Sequence, residues 1–313
     1  MLALILTRIG VMIPNVLILT FLLFASVTSF LGTPAAIMLG EDASPESIAE
    51  LNAQLGFDQP LLIRYWNWMT AALSGDLGRS YTTQQSVAQM IADALPLTLE
   101  LATLAILLAF CGAALINSVP FMKKALDRLT AAVSVIGITV PNFFLGLLMI
   151  YIFSVQLRWL PTTGWSPWSD GVVRHLTHMI LPVLTLTNFY FGSFTLVYKA
   201  EYRSVEDSLY IRAARSKGIS EARISYRHIL PNSILPLITY AGLSLGQLVG
   251  GAVLTETVFS MPGMGRLLVD AISARDFPVM LAVGMVIIVG VMLLNLIADL
   301  TYSLVNPLVR TKG

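Results

Sequence analysis

The chain has 313 residues, of which 56% are hydrophobic and only 12% charged, with a mean hydropathy of +0.77. A soluble domain carries about 25% charged residues, so a water-soluble globule is excluded and a bilayer is the implied solvent. The net charge of +1 points to no partner by itself, nucleic acid included, and a single cysteine excludes an intramolecular disulfide.

A hydrocarbon core of about 30 Å takes about 20 helical residues at about 1.5 Å each. Six stretches have that length: Ile9 to Leu31, Leu97 to Val119, Ala131 to Leu157, Met179 to Tyr198, Ile234 to Val258 and Val279 to Val305. The first exceeds the roughly 7 to 15 residue core of a secretory signal, so residues 1–31 read as an uncleaved span. Residues 32–92 form a largely polar outer segment. Ser44 can cap a helix there that opens with Pro45 and Glu46, buries Ile48, Leu51 and Leu55, and stops at Gly56. A second helix follows Pro60, and its Tyr65, Trp66 and Trp68 suit the headgroup level, so it should lie along the outer membrane surface.

Residues 93–305 read as one membrane domain of five helices, and 306–313 as a cytoplasmic tail. Cys111, inside the second span, is expected to be a small buried packing residue. No inverted pair of Gly- or Pro-broken spans, the mark of many secondary transporters, is visible. With the N-terminus inside, thirteen Lys and Arg fall on the cytoplasmic side and six outside. That asymmetry predicts both termini in the cytoplasm.

Between the fourth and fifth spans lies a basic, amphipathic island, within an inner loop of about residues 200–233. It opens with Tyr210, Ile211, Arg212, Ala213, Ala214 and Arg215, continues through Lys217 and Gly218, and closes at Leu230 and Pro231. Ala213 and Ala214 favour helix and leave no bulk, so another protein surface can approach closely. Gly218 can adopt positive φ and end the helix, so that Glu221 to Ile229 runs back toward the membrane. Pro231 and Pro236 mark the re-entry. Charge alone would make this a solvated loop; the alanine, glycine and Leu-Pro spacing favours a dock for a partner.

Other features weigh less. Gly242-Leu243-Ser244-Leu245-Gly246 matches the nucleophile-elbow pattern, but it falls in an apolar helix and the three histidines lie outside the predicted spans. Gly242, Gly246 and Gly250 instead suit close helix packing. His175 and His178 are three apart and could share a helical face, a weak metal site at best. Glu100, Glu256 and Asp299 are the ionisable residues within spans, all placed near span ends, with structural capping as plausible as lining a substrate path. No phosphate-cradling GxxxxGK[ST], HExxH or CxxC sequence occurs, so ATP hydrolysis by this chain, a cofactor and a metal are not expected.

Further motifs are Leu55-Gly56-Phe57-Asp58-Gln59-Pro60, Gly75-Asp76-Leu77-Gly78-Arg79-Ser80, and Leu95-Pro96-Leu97-Thr98-Leu99-Glu100. Arg215-Ser216-Lys217-Gly218, His228, Asn232, and Pro262-Gly263-Met264-Gly265 before Arg275-Asp276 follow. On these the chain resembles the peptide/nickel (oligopeptide, dipeptide) family of ABC importer permeases, specifically the subunit with the longer periplasmic segment. It departs from importers in general at Arg212, where glutamate is common, and in the tail Asn306-Pro307-Leu308-Val309-Arg310.

The resemblance implies an all-α polytopic protein of six transmembrane helices with the type I ABC importer permease fold, in a bacterial inner membrane. It implies as partners a second homologous permease, two ABC ATPase subunits docked on the inner loop, and a periplasmic substrate-binding protein. The implied cargo is peptides or peptide-like small solutes, with nickel or a nickel chelate as the alternative. An ion-coupled secondary transporter is the reading from another class.

Overall fold

In hydrocarbon every backbone N–H and C=O must pair within its own segment, so long apolar runs fold as helices. The computed structural model describes residues 2–30, 44–54, 56–118 and 120–305, with Ala35 and Leu39, and within them the long apolar runs are helical. Leu55, the end of the first span at Leu31 and the 306–313 tail lie outside them. The helices are α1 (Leu2–Phe30), α2 (Pro45–Gln54), α3 (Leu61–Leu73), α4 (Val87–Ser118), α5 (Pro120–Thr139) and α6 (Asn142–Met149). A π-helical turn, Ile150–Gln156, and a 3-10 turn, Trp168–Asp170, lead to α7 (Val172–Glu206), α8 (Leu209–Ser216) and α9 (Glu221–Ile224). A second π-helical turn, Ser225–Ile229, joins α10 (Leu230–Gly251), followed by α11 (Val253–Val258), α12 (Met264–Ser273) and α13 (Phe277–Val305). Among the described residues, five helical stretches are long and apolar enough to cross a membrane, or six if one bent pair counts as a span.

That bent pair corrects the expected continuous third span. Leu129–Thr139 and Asn142–Gln156 meet at 107°. Pro141 sits at the corner with φ −59° and ψ 135°. It has no N–H to donate and pushes the residue before it out of the helical region. Apolar side chains such as Leu107, Val135 and Leu147 stand exposed, which suits lipid rather than water.

The chain divides into two compact units, Met1–Thr98 with Pro262–Met292, and Leu99–Met261 with Leu293–Gly313. In the first, Ser44 caps α2 as expected, its Oγ accepting the Ser47 N–H at 3.2 Å. Ile48 and Leu51 are only half-buried. Helix α3 does not present all its aromatics to a membrane surface. Trp66 is exposed, but Tyr65 is buried, edge-on to Phe21 and Phe24 of α1, with its hydroxyl 3.0 Å from Thr20 Oγ1 and 3.1 Å from the Leu17 carbonyl. The ring packs on α1 because that helix supplies both an apolar wall and acceptors for the hydroxyl.

Asp276 organises the rest of this unit. Its buried carboxylate accepts hydrogen bonds from the Ser80 hydroxyl, the Thr82 hydroxyl at 2.9 Å and the Tyr81 N–H at 3.1 Å. A buried charge is tolerable when its lone pairs are filled in this way.

In the second unit α5 and α7 cross closely because a glycine on one helix faces backbone of the other at two points. A Cβ at Gly137 would lie 2.6 Å from the Asn188 carbonyl, and one at Gly192 2.7 Å from that of Ser134. Cys111 is exposed rather than buried. Hydropathy places a residue in a span but does not say which face it takes.

Candidate functional site

The basic island folds as a helical hairpin standing on apolar residues of its own unit. Helix α8 directs Ile211 and Ala214 inward, three residues apart on one face. Ile224 and Ile229 are buried from the returning arm. The Tyr202 hydroxyl at the end of α7 lies 3.0 Å from Ser225 Oγ. Leu209, Tyr210, Arg212, Ala213 and Lys217 face outward, with Leu209 82% exposed.

Gly218 ends α8 with φ +76°. The Gly218 N–H donates to the Arg215 carbonyl at 3.0 Å, and the Ile219 N–H to the Ala214 carbonyl at 3.3 Å. These are the two bonds of a Schellman motif, which satisfies carbonyls a helix end otherwise leaves open. Ser220 then starts α9, its carbonyl accepting the Ile224 N–H at 3.0 Å. Arg215 ties three elements together. Its Nε and Nη2 donate to the two Glu221 oxygens at 2.7 and 3.1 Å, and Nη2 also reaches Glu206 at 3.4 Å. The bond to Glu221 raises the Arg215 guanidinium above its ordinary pKa, so the clamp is not lost by deprotonation.

At the start of α8, Asn232 Nδ2 donates to the Tyr210 hydroxyl at 3.3 Å and to the His228 carbonyl at 2.6 Å. Leu230 is half-buried and Pro231 exposed. The chain enters α10 through the π-helical turn, with Pro231 and Pro236 inside the following helix. A wide turn fits here, since each proline lacks the N–H a regular ladder would use. Tyr210, Ile211, Arg212, Ala213, Ala214, Arg215, Lys217, Gly218, Leu230 and Pro231 thus sit in one small hairpin. Its outward face is basic and apolar together.

Glu100, Glu256 and Asp299 are not gathered into a site. Glu256 is fully buried in α11 and Asp299 half-buried in α13. Glu100 lies within α4, which begins well before the expected span. It meets a partner that the sequence does not indicate: His175 Nε2 is 2.9 Å from Glu100 Oε1, with the imidazole fully buried. His175 Nδ1 is 2.7 Å from the Ser166 carbonyl, and Trp168 stacks on the ring at 3.9 Å. A carbonyl can only accept, so Nδ1 carries a proton; the His175–Glu100 contact then needs a second, shared one.

His175 and His178, three apart in sequence, each have a partner of their own. His178 Nδ1 is held by the Arg174 carbonyl at 2.8 Å, and no cluster of three metal-ligating side chains occurs among the described residues. Both histidines lie within the long helix α7, which extends beyond the expected span. Ser244 is buried in α10 and donates to the Tyr240 carbonyl at 2.7 Å, so it is no nucleophile. Gly242 packs against Ala298, while Gly250 is exposed and takes no part in that packing.

The profile of the family described as binding-protein-dependent transport system inner membrane component matches residues 101–311, and that of its N-terminal membrane component matches residues 1–102. A protein named for a peptide transport system permease in Brucella abortus is 36% identical over 99% of both chains. The glutathione transport system permease protein GsiC of Salmonella typhimurium is 37% identical over 100% of both. Among solved structures, an amino acid ABC transporter chain superposes with a TM-score of 0.55 at 17% identity, over 68% of this chain and 93% of the other. A chain of the MetNI methionine ABC transporter gives 0.55 at 18%, over 70% and 97%. These two establish likeness of fold alone.

Proposed function

We propose that this chain, which belongs to the family of binding-protein-dependent transport system inner membrane components, imports peptides or peptide-like small solutes and receives its drive through the Tyr210–Pro231 hairpin. It is a multi-pass inner-membrane permease of an ABC importer. Its working assembly in this reading has a second homologous permease, two ATPase subunits on the cytoplasmic side and a periplasmic substrate-binding protein. The observation that carries the coupling role is α8 itself, a helix closed by a Schellman turn at Gly218, with Leu209, Tyr210, Arg212 and Ala213 facing outward. Such a face suits a groove on another protein: apolar area drives contact, small Ala213 permits close approach, and the basic residues fix orientation.

The peptide cargo is supported by relatives whose names specify peptide and glutathione transport. Nickel is less favoured, because the imidazole buried in α7 is already taken by Glu100 and the Ser166 carbonyl. A strain lacking the gene should lose uptake of labelled short peptides, with glutathione in the panel, while nickel accumulation stays normal. Lost nickel-enzyme activity restored by added nickel, with peptide uptake intact, would reverse the assignment.

Orientation has its own test. In a Cys111→Ser background, a cysteine at Ser47 should react with an impermeant thiol reagent on intact spheroplasts, and one at Ser220 should react only after lysis. The opposite pattern would place the termini outside and detach the hairpin from the ATPases.

A further inference from the structure

The first compact unit contains a cavity of about 410 Å³ walled by Phe24, Phe57, Trp68 and Tyr81, with Arg64 and Asp76 among its lining. Its size lies within the roughly 300 to 1,000 Å³ of small-molecule sites, and apolar walls with a few polar groups are their usual make-up. Arg64 is the unusual member. Its guanidinium lies 4.0 Å from the centroid of the Phe57 ring and 5.9 Å from that of Phe24. Nη2 is buried and meets no hydrogen-bond acceptor among the described residues.

Aromatic faces hold a cation but accept no directed hydrogen bond of full strength. A guanidinium stays charged even where burial, here opposed by the Tyr81 phenol, lowers its pKa. Nη2 is covered, but the Arg64 side chain as a whole is only half-buried and lines the cavity, so the other donors of the guanidinium are the ones an incoming acceptor meets. A planar carboxylate is the acceptor that matches the guanidinium fork.

Asp76 adds the second polar group. One of its oxygens accepts the Gly78 N–H at 2.9 Å, and the side chain is exposed, so the remaining oxygen can take a cation. We propose that this cavity is a binding site for a small zwitterion with an apolar side chain, an amino acid or dipeptide, whose carboxylate pairs with Arg64 and whose ammonium group pairs with Asp76. The aromatic walls take the side chain. The site uses no residue of the coupling hairpin and stands independently of that role.

The test is equilibrium binding of tritiated alanyl-phenylalanine to the complete transporter in lipid nanodiscs. The N-acetylated dipeptide and the dipeptide amide serve as competitors. Saturable binding should fall about tenfold or more in Arg64→Gln and recover in part in Arg64→Lys. The amide should compete poorly against the free acid. Asp76→Asn, which keeps the acceptor for Gly78, should weaken the free dipeptide and leave the N-acetylated one unaffected. Ala71→Phe narrows the cavity without altering Arg64 and should abolish binding, which covers the case of a poorly folded Arg64→Gln.

Wild-type affinity retained in Arg64→Gln or in Ala71→Phe, equal competition by the amide and the free acid, or no saturable binding up to about 10 mM would each overturn the proposal. Peptide uptake by a complex without Arg64-dependent binding removes the site and leaves the transport reading standing. Arg64-dependent binding in a complex that moves no peptide does the reverse.

Discussion

Replacing Gly218 with valine should reduce uptake about tenfold while the protein still inserts and accumulates in the membrane. The backbone at Gly218 has φ +76°, a region that costs an L-residue about 1 to 2 kcal/mol and a β-branched one more. A Cβ there would meet nothing within 4 Å, so the penalty is backbone strain rather than crowding. The alternative turn gives up both Schellman bonds and moves the Arg215 clamp. Gly218→Asn should retain most uptake, because asparagine tolerates the left-handed region, and Gly218→Ala should fall between. Uptake, co-purification with the ATPases and substrate-stimulated ATP hydrolysis would be read together. Values unchanged in the valine variant would remove the hairpin from the mechanism.

Glu100→Ala is the second large effect, and it acts on stability. Removing one member of a buried pair leaves the other uncompensated, which costs about 3 to 5 kcal/mol when both are fully buried. Here His175 is fully buried but the Glu100 side chain is 22% exposed, so about 3 kcal/mol is expected after solvent screening. The unfolding temperature of the purified chain should drop by several degrees. Glu100→Gln keeps an acceptor and should lose less. The double variant Glu100→Leu, His175→Leu should recover much of the loss, since no polar group is then stranded. Strictly additive losses in that cycle would show that the two side chains do not act as a pair.

Much of the architecture could be read from hydropathy, because a span of about 20 apolar residues has few alternatives in a bilayer. The turn at Gly218 was legible for a local reason: a helix former, a glycine and a following serine specify a stop and a restart within a few residues. What stayed hidden depends on direction or distance. Pro141 lies within an apolar run whose hydropathy is blind to a 107° corner. Cys111 and Tyr65 were assigned the wrong surroundings because composition does not reveal which neighbour a face will meet. His175 and Glu100 are 75 residues apart, and nothing local to either signals the other. Arg64 and Phe57 are close in sequence, yet the covering of Nη2 away from any acceptor among the described residues depends on how α3 settles.

The fastening of α8 has a mechanical consequence. Its first turn is pinned through Tyr210 and Asn232, and its last by the Gly218 turn and the Arg215 clamp. In the proposed coupling role, a push on a short rod pinned at both ends is passed on to its mounts, the end of α7 and the start of α10, rather than absorbed by flexing. Directly before the second of these lies the wide turn Ser225–Ile229, where the regular ladder is already interrupted and rotation is cheapest. Compliance is therefore set behind the outward-facing surface, as in a crank whose handle is rigid and whose pivot lies inboard.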